Sequence, residues 1–204
     1  FFATMGYRMG MDTLVEYLKA FGLGSHTGIE IGDRAGTLPE NAPGQDLAPW
    51  AAYGQANQLY TPLQLANYIS TLVSGGKRCQ PHLLKAVKSY DNSEVLKVGD
   101  SSAKNTVSIK DSTLEAVKEG MLGYTQPGGQ LYSYFRNCVV KAGAKTGTAQ
   151  LGGGQTNNGV FVCFAPYDDP EIALAMVIEH GNAGAALAST AVNILNAYFS
   201  ADDI

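Results

Sequence analysis

At 204 residues the chain is long enough to bury a real core and short enough for a single domain. Charged residues make up 16% and the formal net charge is −4, which excludes a basic surface for nucleic acid as its main feature. The longest apolar run, Ile172 to Ile178, is far too short to cross a bilayer.

A first helix is predicted over about 12–21, where Leu14, Leu18 and Phe21 share a face and Gly22 stops it. Residues 32–50 hold several Gly and Pro with few periodic apolars and read as loop. Thr61 opens the best-specified helix: it is the N-cap, Pro62 takes the first helical position and Gln64 completes a capping box. Leu65, Ile69, Leu72 and Val73 form its buried stripe, and Gly75-Gly76 ends it. Residues 83–98 predict a hairpin turning at Asp91-Asn92. Asp111 is expected to cap a helix that carries Leu114, Val117 and Met121 and ends at Gly123. The stretch 124–138 mixes Gly128-Gly129 with Tyr132, Tyr134 and Phe135 and predicts a mobile or loosely ordered connection.

The end of the chain carries the clearest pattern. Strands are predicted over 145–150, 160–164 and 171–179, joined by a glycine-rich loop at 151–158 and a tight turn at 167–170. Connections this short make antiparallel neighbours. A helix over about 185–199 follows, with Leu187, Ala191, Leu195 and Tyr198 on one face. An antiparallel sheet with a long terminal helix against it is an α+β fold. The three cysteines, Cys79, Cys138 and Cys163, are odd in number and widely spaced, so they form no disulfide framework, and Cys163 is expected to be buried packing. Cys79 and His82 have a spacing that fits zinc, but two ligands do not make a site, and neither a metal nor any other cofactor is expected.

The chemistry concentrates at Lys145-Thr146-Gly147-Thr148. Lys145 puts a positive charge where a substrate carboxylate docks, and the hydroxyls of Thr146 and Thr148 can bond the same group. Gly147 removes a side chain, so a substrate backbone can lie against the strand edge. The amide that follows it can point at a developing oxyanion. A nucleophile is harder to find. Ser74 and Ser101 each begin a Ser-x-x-Lys string, but Ser74 closes a helix instead of opening one, and Ser101 lies in a polar stretch with no apolar helical run after it. Tyr90-Asp91-Asn92 reads as a hairpin turn, and no Ser-x-Asn string occurs.

Lys145-Thr146-Gly147 on a strand, together with Gly54-Gln55, Thr61-Pro62-Leu63-Gln64-Leu65-Ala66 and Gly75-Gly76, resembles the class B penicillin-binding proteins, the monofunctional D,D-transpeptidases that cross-link peptidoglycan. Phe21-Gly22-Leu23-Gly24, Gly36-Thr37-Leu38-Pro39 and Phe164-Ala165-Pro166 extend the resemblance over nearly the whole chain. It implies the β-lactamase/transpeptidase-like fold, with residues 1–204 its C-terminal part. Ser-x-x-Lys, Ser-x-Asn and a membrane anchor are then expected upstream, with the nucleophile helix at the centre of the core. It implies acyl transfer through a serine ester, Lys145, Thr146 and Thr148 binding the terminal carboxylate and the Thr148 amide donating to the oxyanion. The chain by itself is expected to be inactive. The partners implied are the upstream portion of the same protein, peptidoglycan stem peptides, β-lactams and a membrane glycosyltransferase of the cell-wall machinery, with no nucleic acid. The location implied is the extracytoplasmic face of the bacterial cell membrane. A β-lactamase or β-lactam sensor of the same fold, and a non-catalytic peptide-binding module, stay open as alternatives.

Overall fold

Gly10 divides the amino-terminal segment into two helices. Its backbone, at φ 78° and ψ 163°, is one that side chains rarely adopt, so α1 (Phe2–Met9) stops and α2 (Met11–Ala20) starts there in the computed structural model, which describes residues 1–200. α1 is an addition to the predicted elements. Its buried residue is Gly6, where a Cβ would lie 2.5 Å from the Ala48 carbonyl oxygen, so only a bare glycine lets α1 lie on α3 (Ala48–Ala51). α2 ends as expected: Gly22, at φ 85°, reverses the chain, and the Leu23 N–H returns to the Leu18 carbonyl at 2.9 Å.

The capping box of α4 (Pro62–Val73) forms as predicted, with the Gln64 N–H donating to Thr61 Oγ1 at 3.2 Å and the Thr61 N–H donating to Gln64 Oε1 at 2.9 Å. Gln64 also does something its motif does not announce. It is buried, and its Nε2 donates to the carbonyls of Ser25 and Ala35 at 2.8 and 2.7 Å, holding the loop before α3 against the start of α4. Ile69 and Leu72 are buried, while Leu65 and Val73 are half-buried.

β1 (Lys77–Cys79) pairs antiparallel with β4 (Ala103–Thr106), and between them lies the predicted hairpin of β2 (Ala86–Lys88) and β3 (Val95–Val98). It turns at Asn92, φ 59°, where Asp91 Oδ1 accepts from the Ser93 N–H and the Ser89 hydroxyl. α5 (Asp111–Gly123) departs from expectation at its start. Lys110 is the N-cap, and Asp111 is the first helical residue, placed to complement the helix dipole without capping it. Leu114 and Met121 are buried, but Val117 is on the outer flank and 41% exposed. The stretch 124–138 is also corrected. It is packed, because Leu131 and Phe135, four residues apart around α6 (Tyr132–Phe135), enter the main core, and the Thr125 hydroxyl donates to the Ala142 carbonyl at 2.7 Å.

β5 (Gly143–Ala149), β6 (Asn158–Ala165) and β7 (Ile172–Ile178) form an antiparallel sheet in that order. A 3₁₀ turn at Gly184–Leu187 leads into α7 (Ala188–Ser200). Strand alternation puts Phe161, Cys163 and Ala165 on the face covered by α7, through Ala188, Ala191, Val192 and Leu195. Phe164 faces the other way, into Ile69, Leu72, Leu114 and Met121 of α4 and α5. The result is an α+β sandwich of helix, sheet and helix. Burial pushes the Cys163 thiol up to about 12, in keeping with a packing role. Tyr198 leaves the predicted buried face and is 47% exposed, because the inward stripe of α7 runs through Leu195 to Phe199.

Candidate active site

β6 pairs with one side of β5, and β5 is an edge strand of its sheet. Lys145, Thr146, Gly147 and Thr148 all lie on it. The carbonyls of Thr146 and Thr148 are two residues apart and point the same way, outward from the edge that β6 leaves free. Lys145 is exposed. Its Nζ bends back to donate to the Thr146 carbonyl at 2.6 Å and lies 5.2 Å from the centre of the Tyr124 ring. Among the described residues no carboxylate pairs with it. The Tyr124 hydroxyl lies 3.1 Å from Thr146 Oγ1 and donates to Gln130 Oε1. Tyr124 and Gln130 thus belong to the site. Sequence reasoning missed them because no motif marks a tyrosine at the end of a helix.

Gly147 faces Val160 of β6, where a Cβ would come within 3.3 Å of the valine Cβ. Gly147 and Val160 both lie in the wall of a cavity of about 560 Å³. Leu18, Phe21, Leu65, Tyr68, Val160 and Val177 line this cavity, with Gly147 and Thr148 in its wall. Tyr60 and Tyr68 are also in the lining, and burial raises both phenols above their ordinary range. Leu65 and Leu18 are half-buried because they face this space.

From the loop between α3 and α4, Gln55 Nε2 donates to the Thr148 carbonyl at 3.0 Å across 93 residues of sequence. The Gly54-Gln55 pair was legible as a motif, but its contact with β5 was not. The two Ser-x-x-Lys strings lie elsewhere. Ser74 is the C-cap of α4, and its hydroxyl donates to the carbonyls of Ser70 and Lys77. The Ser101 carbonyl accepts from Cys79 Sγ at 3.3 Å. Neither serine lines the cavity beside Gly147. His82 Nδ1 is 3.0 Å from the Leu84 carbonyl, and no cluster of three or more potential metal ligands occurs among the described residues.

Residues 1–199 match the family model described as the penicillin binding protein transpeptidase domain. The chain is 31% identical over 228 aligned positions to the peptidoglycan D,D-transpeptidase MrdA of Escherichia coli K12, covering 96% of this chain and 35% of that protein. Among solved structures it resembles penicillin-binding protein 2B of Streptococcus pneumoniae R6, with a TM-score of 0.80 at 25% identity over 95% of this chain and 33% of that one. It also resembles penicillin-binding protein 2 of Helicobacter pylori, with a TM-score of 0.80 at 25% identity over 98% and 37%. The chain spans about a third of the length of the curated relatives it matches.

Proposed function

The chain belongs to the penicillin-binding protein transpeptidase domain family, and on that premise we propose that it supplies the substrate-docking strand of a peptidoglycan D,D-transpeptidase. The observation that carries the proposal is the free edge of β5, with Lys145, Thr146, Gly147 and Thr148 along it and an apolar cavity beside them. A stem peptide ending in D-Ala-D-Ala lies along that edge. Lys145 and the two threonine hydroxyls take its terminal carboxylate. A serine oxygen attacks the penultimate D-Ala carbonyl, and the terminal D-Ala leaves with the proton on its amine. The amine of a neighbouring stem peptide then attacks the ester, forming the cross-link and returning the proton to the serine. The Thr148 N–H donates to the oxyanion in both steps, a contact whose loss typically costs about a hundredfold or more in rate. A β-lactam acylates the same serine.

No serine of residues 1–204 fits that role, so the nucleophile and the Ser-x-Asn motif come from sequence outside them. The apolar cavity suits the helix that brings the nucleophile to Gly147 and Thr148. The activity belongs at the extracytoplasmic face of the cell membrane, where peptidoglycan is assembled, beside a membrane glycosyltransferase that makes the glycan strands. No helix of the described residues is long and apolar enough to cross a membrane.

The test uses a fluorescent penicillin on the full-length protein and on residues 1–204 alone. The full-length protein is expected to retain covalent label and the shorter chain none. Label retained on residues 1–204, and lost on mutating Ser74 or Ser101, overturns the assignment of the nucleophile.

A further inference from the structure

We infer that Gln55 is a positioning residue for Thr148, an inference that rests on the docking-strand reading above. β5 ends at Ala149 and runs into Gly152-Gly153-Gly154, all at positive φ. A strand that is paired on one side only and followed by glycines loosens readily at that end. Thr148 is the penultimate residue of the strand, so the group that donates to the oxyanion stands where order is weakest. The hydrogen bond from Gln55 Nε2 to the Thr148 carbonyl ties this end to a different part of the molecule.

The turn that presents Gln55 is stiff. The Gln55 N–H donates to the Trp50 carbonyl at 3.0 Å, and the Gln55 carbonyl accepts from Gln58 Nε2 at 2.9 Å. Gln58 Nε2 also donates to the Ala51 carbonyl, and Gln58 Oε1 accepts from the Tyr60 hydroxyl at 2.8 Å. On either side of Gln55, Gly54 and Ala56 stand at φ 87° and 72°. An alanine there is in a conformation that L residues avoid, and such a backbone persists only where its surroundings hold it. With its own backbone fixed at both ends, Gln55 is held within reach of the strand. The role requires an N–H donor of this length. Glutamate would set a carboxylate against a carbonyl oxygen, and alanine would leave the strand end untied.

Lys145 and Thr146, three and two residues earlier on β5, hold the carboxylate together with the Thr148 hydroxyl and do not need this tether. Loss of Gln55 therefore slows the chemical step more than it weakens capture. In the full-length protein, Gln55→Ala and Gln55→Glu are each expected to lower the first-order acylation constant for a fluorescent penicillin about tenfold, with the dissociation constant changed by less than about twofold. Exchange of the Ala149 amide proton, which faces β6, should accelerate in both variants, a readout independent of turnover. An unchanged acylation constant, unchanged exchange, or equal losses of binding, rate and thermal stability overturn the inference. Faster acylation also overturns it, by showing that Gln55 obstructs the edge. A wild-type protein that fails to acylate, or a Lys145→Ala variant that acylates normally, counts against the docking-strand reading instead, and amide exchange still decides the tether.

Discussion

Lys145 is exposed, and its ammonium donates to a backbone carbonyl on its own strand. It can be removed with little loss of packing, yet it is the charge that meets a substrate carboxylate. In the full-length protein Lys145→Ala should lower acylation by about tenfold to a hundredfold, the worth of a charge-assisted hydrogen bond, with little change in melting temperature. Lys141, exposed and outside β5, is the control. Normal acylation by the variant, or its simple unfolding, would refute the docking role. Asp33 shows what hydrogen bonding does to a carboxylate. It accepts from the Thr27 hydroxyl and N–H at 2.5 and 2.6 Å and lies 2.7 Å from His26 Nδ1, and these bonds, those from Thr27 foremost, hold it at about 2 against an ordinary 3.8. The folded state favours the charged form, so its contribution to stability is complete above the ordinary value and disappears as the pH falls towards 2. Melting temperature followed from pH 5 to pH 2 should fall more steeply in the wild type than in Asp33→Asn, by roughly the share of one such group. Parallel curves would show that the carboxylate is not held.

α4 is the element the sequence describes best, and its start carries two separable functions. Thr61→Ala removes a cap and should cost about 1 kcal/mol. Gln64→Ala removes the other half of the box and also strands the carbonyls of Ser25 and Ala35, so it should cost on the order of 3 kcal/mol. Denaturant unfolding of the two variants compares them directly, and equal losses would mean that Gln64 does not anchor the loop. The box was legible because its partners are three residues apart. The two carbonyls were not, lying 39 and 29 residues away. The same distinction explains the connection at 124–138. Its glycines and aromatics read as loose, because the partners of Leu131 and Phe135 are on β6 and α7. Asp111 misled for a smaller reason: a cap and a first-turn aspartate differ by one residue, and both suit a helix start.

In the whole molecule, a sheet packed on both faces stands next to an apolar cavity of about 560 Å³ that reaches Gly147 and Thr148. A space of this size lined by Leu, Phe and Val is costly to leave open to water. Residues 1–204 expressed alone should bind a hydrophobic-surface dye and unfold with poor cooperativity, and the preceding portion of the protein added in trans should suppress the dye signal. Cooperative unfolding of the isolated chain without dye binding would show it to be a complete domain. The sequence alone determined the α+β class, the three antiparallel strands, the terminal helix and the motif Lys145-Thr146-Gly147-Thr148, because strand alternation, capping and short turns act between residues close in the chain. Tertiary structure alone decided that Gly6 seats one helix on another, that Tyr124 and Gln130 brace Thr146, and that Gln55 reaches Thr148. Each of those contacts joins segments whose relative position is set by burial of the shared core, and no local pattern in the chain encodes it.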